Sequence, residues 1–149
     1  MRRPAILLAL CCFAFPAQSA DATPDATVKY RHAVMKGMGD HLKALSMINK
    51  GEMPRPQDIA FHAAAIRDAS SIAGELFPAG TGPDKIKTHA KPEVWTKPDE
   101  FKAAMEALRT QAGALVDLAK GTDTAAIAAQ FGKVGEACGK CHDDFRVDD

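Results

Sequence analysis

The sequence predicts an all-α fold, an antiparallel four-helix bundle. Three observations carry that reading: four segments whose apolar residues recur at steps of three and four, connections that are short except for one, and no alternating β-branched run long enough to form a strand. The segments hold about 20 to 26 residues each, or roughly 30 to 39 Å at a rise of about 1.5 Å per residue.

The first helix is predicted from about Asp25 to Lys50, with Val28, Met35 and Leu42 at heptad spacing and Met38 and Leu45 completing the stripe. Lys50-Gly51 stops it, and Pro54 and Pro56 forbid its continuation. The second spans about Gln57 to Phe77 and uses Ile59, Ile66 and Ala73, with Ala69, Ile72 and Leu76 filling in. A long connection, Pro78 to Trp95, follows; Gly80, Gly82 and Pro83 punctuate it, and loops of that length in a compact domain usually have a task. The third helix opens at Thr96-Lys97-Pro98-Asp99-Glu100, which offers a capping hydroxyl, a first-turn proline and early acids. It continues through Phe101, Met105, Leu108, Ala112, Leu115 and Leu118 to Gly121. The fourth, about Thr122 to Arg146, carries Ile127, Phe131, Val134, Cys138, Cys141 and Phe145 on one stripe.

The first twenty residues stand apart from this pattern. Arg2 and Arg3 precede the apolar run Ile6 to Phe15, too short to span a membrane, and small residues follow. Residues 1–20 are therefore expected to be a secretory signal, with cleavage between residues 19 and 22, and residues 21–149 a single domain. Cys11 and Cys12 would be lost with the peptide; Leu10 stands before Cys11 where a lipid-attachment site needs a small residue. Removing Arg2 and Arg3 lowers Lys+Arg from 19 to 17 against 19 acids, a net charge of about −2, or about −1 if Asp21 also goes. Neither a nucleic-acid footprint nor a polybasic membrane patch is present, so neither partner is expected.

Export would leave two cysteines, Cys138 and Cys141, in Cys138-Gly139-Lys140-Cys141-His142. A disulfide between them would close too small a loop to restrain the unfolded chain much. A dithiol redox motif normally opens a helix packed on a βαβ sheet, and a zinc site needs four ligands; this pair lies deep in a helix, with no sheet and no second CxxC. The run is the covalent attachment signature of a c-type haem. Two thiols one helical turn apart can add to the two vinyl groups of a porphyrin, leaving His142 as the axial, proximal iron ligand.

Helical phase places Cys138 and Cys141 on the interior stripe, so one haem c is expected inside the bundle, at one end of the core. Gly132, Gly135 and Gly139 disfavour a helix by about 0.8 to 1 kcal/mol each relative to Ala, which a flat macrocycle lying against that backbone would explain. The seven residues after His142 include no His or Met, so a sixth iron ligand would come from upstream. On the first helix, Arg31 falls on the core stripe. There it either meets a buried anion, which haem propionates would supply, or snorkels to the rim. Met35, one turn on, faces the iron from the side opposite His142, as ligand or as core filler. His32 lies beside it, within reach of a propionate, whereas His41, His62 and His89 read as surface or loop histidines.

These residues resemble the class II c-type cytochromes, the group containing cytochrome c prime. The resemblance covers the whole mature domain and rests on VKYRHAVM (28–35), LFPAGTG (76–82), KPEVW (91–95) and ACGKCHDDFR (137–146). It implies a periplasmic monohaem protein with Cys138 and Cys141 holding the haem, His142 on the iron, Arg31 near the propionates and Arg146 on the proximal side. Lys91, in the third stretch, counts as a further cofactor-binding position. His32 departs from the glutamine common at its place in cytochrome c prime. The resemblance also implies a homodimer, through helices 1 and 2.

Two behaviours occur in the class. In the low-spin relatives a methionine at the place of Met35 ligates the iron, and the protein serves as a one-electron carrier for a periplasmic redox partner. In cytochrome c prime the iron is five-coordinate and binds small gases such as nitric oxide or carbon monoxide, with the distal residue packed over it. Met35 fits either description. Enzymatic chemistry is not expected, because the seam near Met35 offers no distal acid or base.

Overall fold

The structure, a computed structural model, describes residues 22–147; the expected signal segment lies outside the described residues. The chain forms α1 (Pro24–Asn49), α2 (Ile59–Ala73), α3 (Glu93–Thr96), α4 (Pro98–Leu118) and α5 (Thr124–Phe145). Short 3-10 turns, Pro56–Asp58 and Gly74–Leu76, flank α2. Among the described residues there is no strand, only an isolated antiparallel bridge between Ala90 and Arg146.

Local chemistry accounts for the helix ends. The Thr23 hydroxyl accepts from the Ala26 amide at 3.2 Å, and Pro24 opens α1 where its missing N–H costs nothing. Gly51, at φ 75°, takes the left-handed conformation that turns the chain toward α2. The Asp123 carboxylate caps α5 through the Ala126 amide at 2.9 Å. Thr96 does not cap α4 as the sequence suggests. It ends α3 instead, its hydroxyl donating to the Pro92 carbonyl at 3.4 Å, and Lys97 takes the cap position without a side-chain bond.

α1 packs on α2, α2 on α4 and α4 on α5, while α1 and α5 make few contacts. The core has Ile66, Leu115 and Val134 at its centre. The predicted stripes hold: Met38 and Leu45 on α1, Ile66 and Ala73 on α2, the α4 series from Phe101 to Leu115, and Ile127, Val134 and Phe145 on α5 are all buried. Val28, Met35, Leu42, Ile59, Ala69, Leu76, Phe131 and both cysteines are half-buried, and Ile72 and Leu118 are exposed. Gln130 is an unforeseen buried polar residue, satisfied by donating to the Gln111 carbonyl at 3.0 Å and to Gln111 Oε1 at 2.8 Å.

The long connection is ordered by side chains rather than by regular structure. The Trp95 indole N–H donates to the carbonyls of Phe77 (3.0 Å) and Pro78 (3.2 Å). Its ring lies close beside Gly82, where a Cβ would touch it at 3.4 Å and push aside Asp84 Oδ1, the end of an exposed side chain, at 2.9 Å. An edge-to-face series then runs inward, Trp95–Phe77 (6.1 Å), Phe77–Phe101 (4.7 Å) and Phe101–Phe145 (5.2 Å), joining the loop to the end of α5.

Candidate haem site

The cysteine pair lies in the last two turns of α5. Cys138 and Cys141 are free thiols, each partly buried and packed against the same core that Met35 borders from α1. The helix that carries them, α5, scarcely meets α1. Burial pushes the Cys138 thiol up, and burial with Cys138 and Asp144 nearby pushes Cys141 up to about 11. Both are neutral thiols near pH 7. A dithiol redox centre needs the opposite shift, so that reading loses its chemical basis.

His142 is exposed at the end of this turn. Loss of surrounding water, then Arg146, lowers its pKa, against the pull of Asp143, so the ring is neutral near pH 7 and keeps a nitrogen lone pair. Lys91 secures the last turn. Its ammonium donates to the Asp143 carbonyl at 2.7 Å and its backbone N–H to the Phe145 carbonyl at 2.9 Å, while Val147 N–H donates to the His89 carbonyl at 2.8 Å. Lys91, a cofactor-binding position by the resemblance, has its ammonium on the backbone next to His142, where it holds that turn.

Arg31 is buried as its place on the stripe requires, with 4% of its surface exposed, and the loop meets its guanidinium there. Nη1 donates to the Leu76 carbonyl (3.2 Å) and Thr81 Oγ1 (3.1 Å); Nη2 donates to the Thr81 carbonyl (3.2 Å) and Thr88 Oγ1 (2.8 Å). The guanidinium carbon also lies 4.4 Å from the centre of the Phe77 ring. The long connection folds back over α1 and supplies neutral oxygens to the guanidinium, and burial lowers its pKa. Arg31 is the post to which that loop is tied. His32, one residue on, is exposed.

The donor set fits a c-type haem. Two free thiols sit one turn apart on a core-facing stripe, followed by a neutral imidazole. A Cβ built on Gly132, Gly135 or Gly139 would meet nothing within 4 Å, so no protein atom packs against that flank of α5. An open cleft of about 830 Å³ lies elsewhere, between α2 and α4, and none of these residues lines it.

Sequence reasoning missed one cluster. His41 and His62, read as unrelated surface histidines, bring their Nδ1 atoms to 2.9 Å across the α1–α2 interface. They stand ten and eleven residues on either side of Gly51, and positions equidistant from a hairpin turn face each other, which is the signal that could have found them.

Fold and site together define a protein that carries a covalently attached c-type haem in a helical bundle. Residues 26–146 match the family described as cytochrome c', and the chain belongs to that family. It is 42% identical over 125 residues to the cytochrome c' of Pararhodospirillum photometricum, covering 84% of this chain and 99% of that protein. Cytochrome c prime from Shewanella frigidimarina superposes with a TM-score of 0.80 at 28% identity, over 87% of this chain and all of that one. Cytochrome c prime from Alcaligenes xylosoxidans is also similar, as a ferrous variant with bound NO (TM-score 0.78, 27% identity, 87% and 100% covered) and as a variant with bound carbon monoxide (0.76, 28%, 85% and 98%). The family's cofactor is haem c, attached through a cysteine pair, here Cys138 and Cys141.

Proposed function

We propose that this chain is an exported, periplasmic one-electron carrier, with His142 as proximal iron ligand and Met35 on the distal side. The observation that carries the reading is that Met35 of α1 and the two thiols of α5 are all half-buried against one core, while α1 and α5 make few contacts with each other. A haem held there supplies Fe(III)/Fe(II) chemistry, and thioether ligation raises its potential.

The chain's own residues set the conditions for that chemistry. His142 offers a neutral imidazole, and Lys91 and the Ala90–Arg146 bridge hold its turn against the loop. The core-facing residues of α1 around Met35, namely Val34, Met38 and Leu42, are apolar, which supports a carrier rather than an enzyme needing a distal acid or base. Pairing of two copies through α1 and α2 belongs to the same reading; α2 presents Phe61 there, 65% exposed.

A second reading is favoured by the NO and carbon monoxide complexes of the relatives from Alcaligenes xylosoxidans: the protein binds such gases, with Met35 packed over an open sixth position. The visible spectrum of the purified protein separates the two. A sulfur-ligation band in the far red, lost in Met35→Ala with conversion to high spin, supports the carrier. A broad high-spin spectrum with ready carbon monoxide uptake on reduction overturns methionine ligation and supports gas binding. A Met35→Ala protein with unchanged spectrum and unchanged gas affinity rejects both roles for Met35.

A further inference from the structure

His41 on α1 and His62 on α2 meet at the α1–α2 interface, and the function above leaves them unemployed. Their Nδ1 atoms are 2.9 Å apart and their ring centroids 5.2 Å with the rings tilted at 53°, so one nitrogen donates to the other, the direction depending on the tautomer. The edge of Phe61 closes over both rings, at 5.8 Å from His41 and 5.2 Å from His62. Two carboxylates lie within electrostatic reach, Asp40 of His41 and Asp58 of His62. Asp40 is paired with Lys36 and Asp58 with Arg55, so the surroundings are close to neutral.

We propose that His41 and His62 form a binding site for a tetragonal divalent transition-metal ion, Cu(II) above all. Cis ligands at about 2.0 Å in a square-planar or tetragonal sphere stand about 2.8 Å apart, whereas a tetrahedral ion such as Zn(II) needs about 3.3 Å. The observed 2.9 Å matches the first. Each ring turns toward solvent by roughly 45° so that both lone pairs meet one ion, a rotation open to half-exposed side chains. The donor ring then moves its proton from Nδ1 to Nε2 through water, which frees its Nδ1 lone pair for the ion. Burial and the neighbouring His41 hold the His62 pKa below its ordinary value, which keeps that ring neutral near pH 7.

Among the described residues no group of three or more His, Cys, Asp or Glu side chains is arranged for a metal. The site therefore offers two protein ligands, with water in the other positions, and cis pairs of imidazoles select Cu(II) by the ordinary order of divalent affinities. Both ligands come from one chain, so the stoichiometry is one ion per chain whether the protein is single or paired.

The test uses the haem-loaded ferric protein, stripped with chelator and titrated with Cu(II) near neutral pH, the copper being read by electron paramagnetic resonance apart from the haem iron. One Cu(II) per chain with hyperfine structure from two nitrogens is expected, and Zn(II) should bind more weakly. His41→Gln and His62→Gln should each weaken Cu(II) binding by about tenfold or more, while His32→Gln leaves it unchanged. Copper binding that survives the double His41→Gln/His62→Gln substitution, as at the terminal amine, overturns the proposal. So does a wild-type spectrum showing fewer than two nitrogens, a result that needs no variant to fold.

Discussion

Replacing Arg31 with leucine tests the claim that this buried guanidinium ties the long connection to α1. The substitution removes four hydrogen bonds, but their losses are unequal. Thr81 Oγ1 still donates to the Pro78 carbonyl at 2.8 Å, and Thr88 Oγ1 still accepts from the Ala90 amide at 3.2 Å. The carbonyls of Leu76 and Thr81 lose the donors they have in the structure. Two orphaned acceptors cost about 1 to 3 kcal/mol each. The lost cation–π contact with Phe77 adds about 0.5 to 2 kcal/mol. Against these stands the relief of the desolvation that now lowers the Arg31 pKa. A net loss of about 3 kcal/mol follows, or a fall in Tm of roughly 10 °C at about 3 to 5 °C per kcal/mol for a chain of this size. Thermal unfolding followed by circular dichroism measures it, with Arg31→Lys beside it. Lysine keeps the charge but concentrates its donors on one nitrogen, so it should recover less than half the loss. If Arg31→Leu melts within about 2 °C of the parent, the anchoring argument fails.

Further outcomes follow from the same geometry. Gly135→Ala gains about 0.8 to 1 kcal/mol of helix propensity and meets no protein atom, yet it should lower haem content, measured as the ratio of haem to protein absorbance; full loading with raised stability would show that no macrocycle lies on that flank. Leu115→Ala, at a fully buried position, should cost about 2 to 5 kcal/mol in urea unfolding with the m-value unchanged. The double Cys138→Ser/Cys141→Ser protein should release its haem into acidified acetone, whereas the parent retains it; retention by the double variant would remove the thioether assignment.

Much of this protein can be read along the chain. The CxxCH run specifies its chemistry through spacing alone, because two thiols and an imidazole within five residues of one helix need no distant partner to define them. The heptad stripes likewise predicted which faces of the helices are buried, since burial of an amphipathic helix is dictated by its own periodicity. They placed Arg31 in the core, where it lies at 4% exposure. Periodicity cannot say what the other end of a long side chain meets, and the loop carbonyls of Leu76 and Thr81 that Arg31 donates to were not legible in it.

The identity of the cofactor, the number of long helices and the inward direction of Cys138 and Cys141 are properties of local pattern, and the linear order of residues determined them. The partners of Arg31, the use of Lys91 as a clamp on the turn of His142, the start of α4 after a separate α3, and the meeting of His41 with His62 were decided by tertiary structure. The physical reason is the separation of the groups involved. A helix repeats its own pattern every few residues, but a hydrogen bond between Arg31 and Thr88 or Lys91 and Asp143 exists only after the connecting chain has folded back and brought an acceptor to the donor.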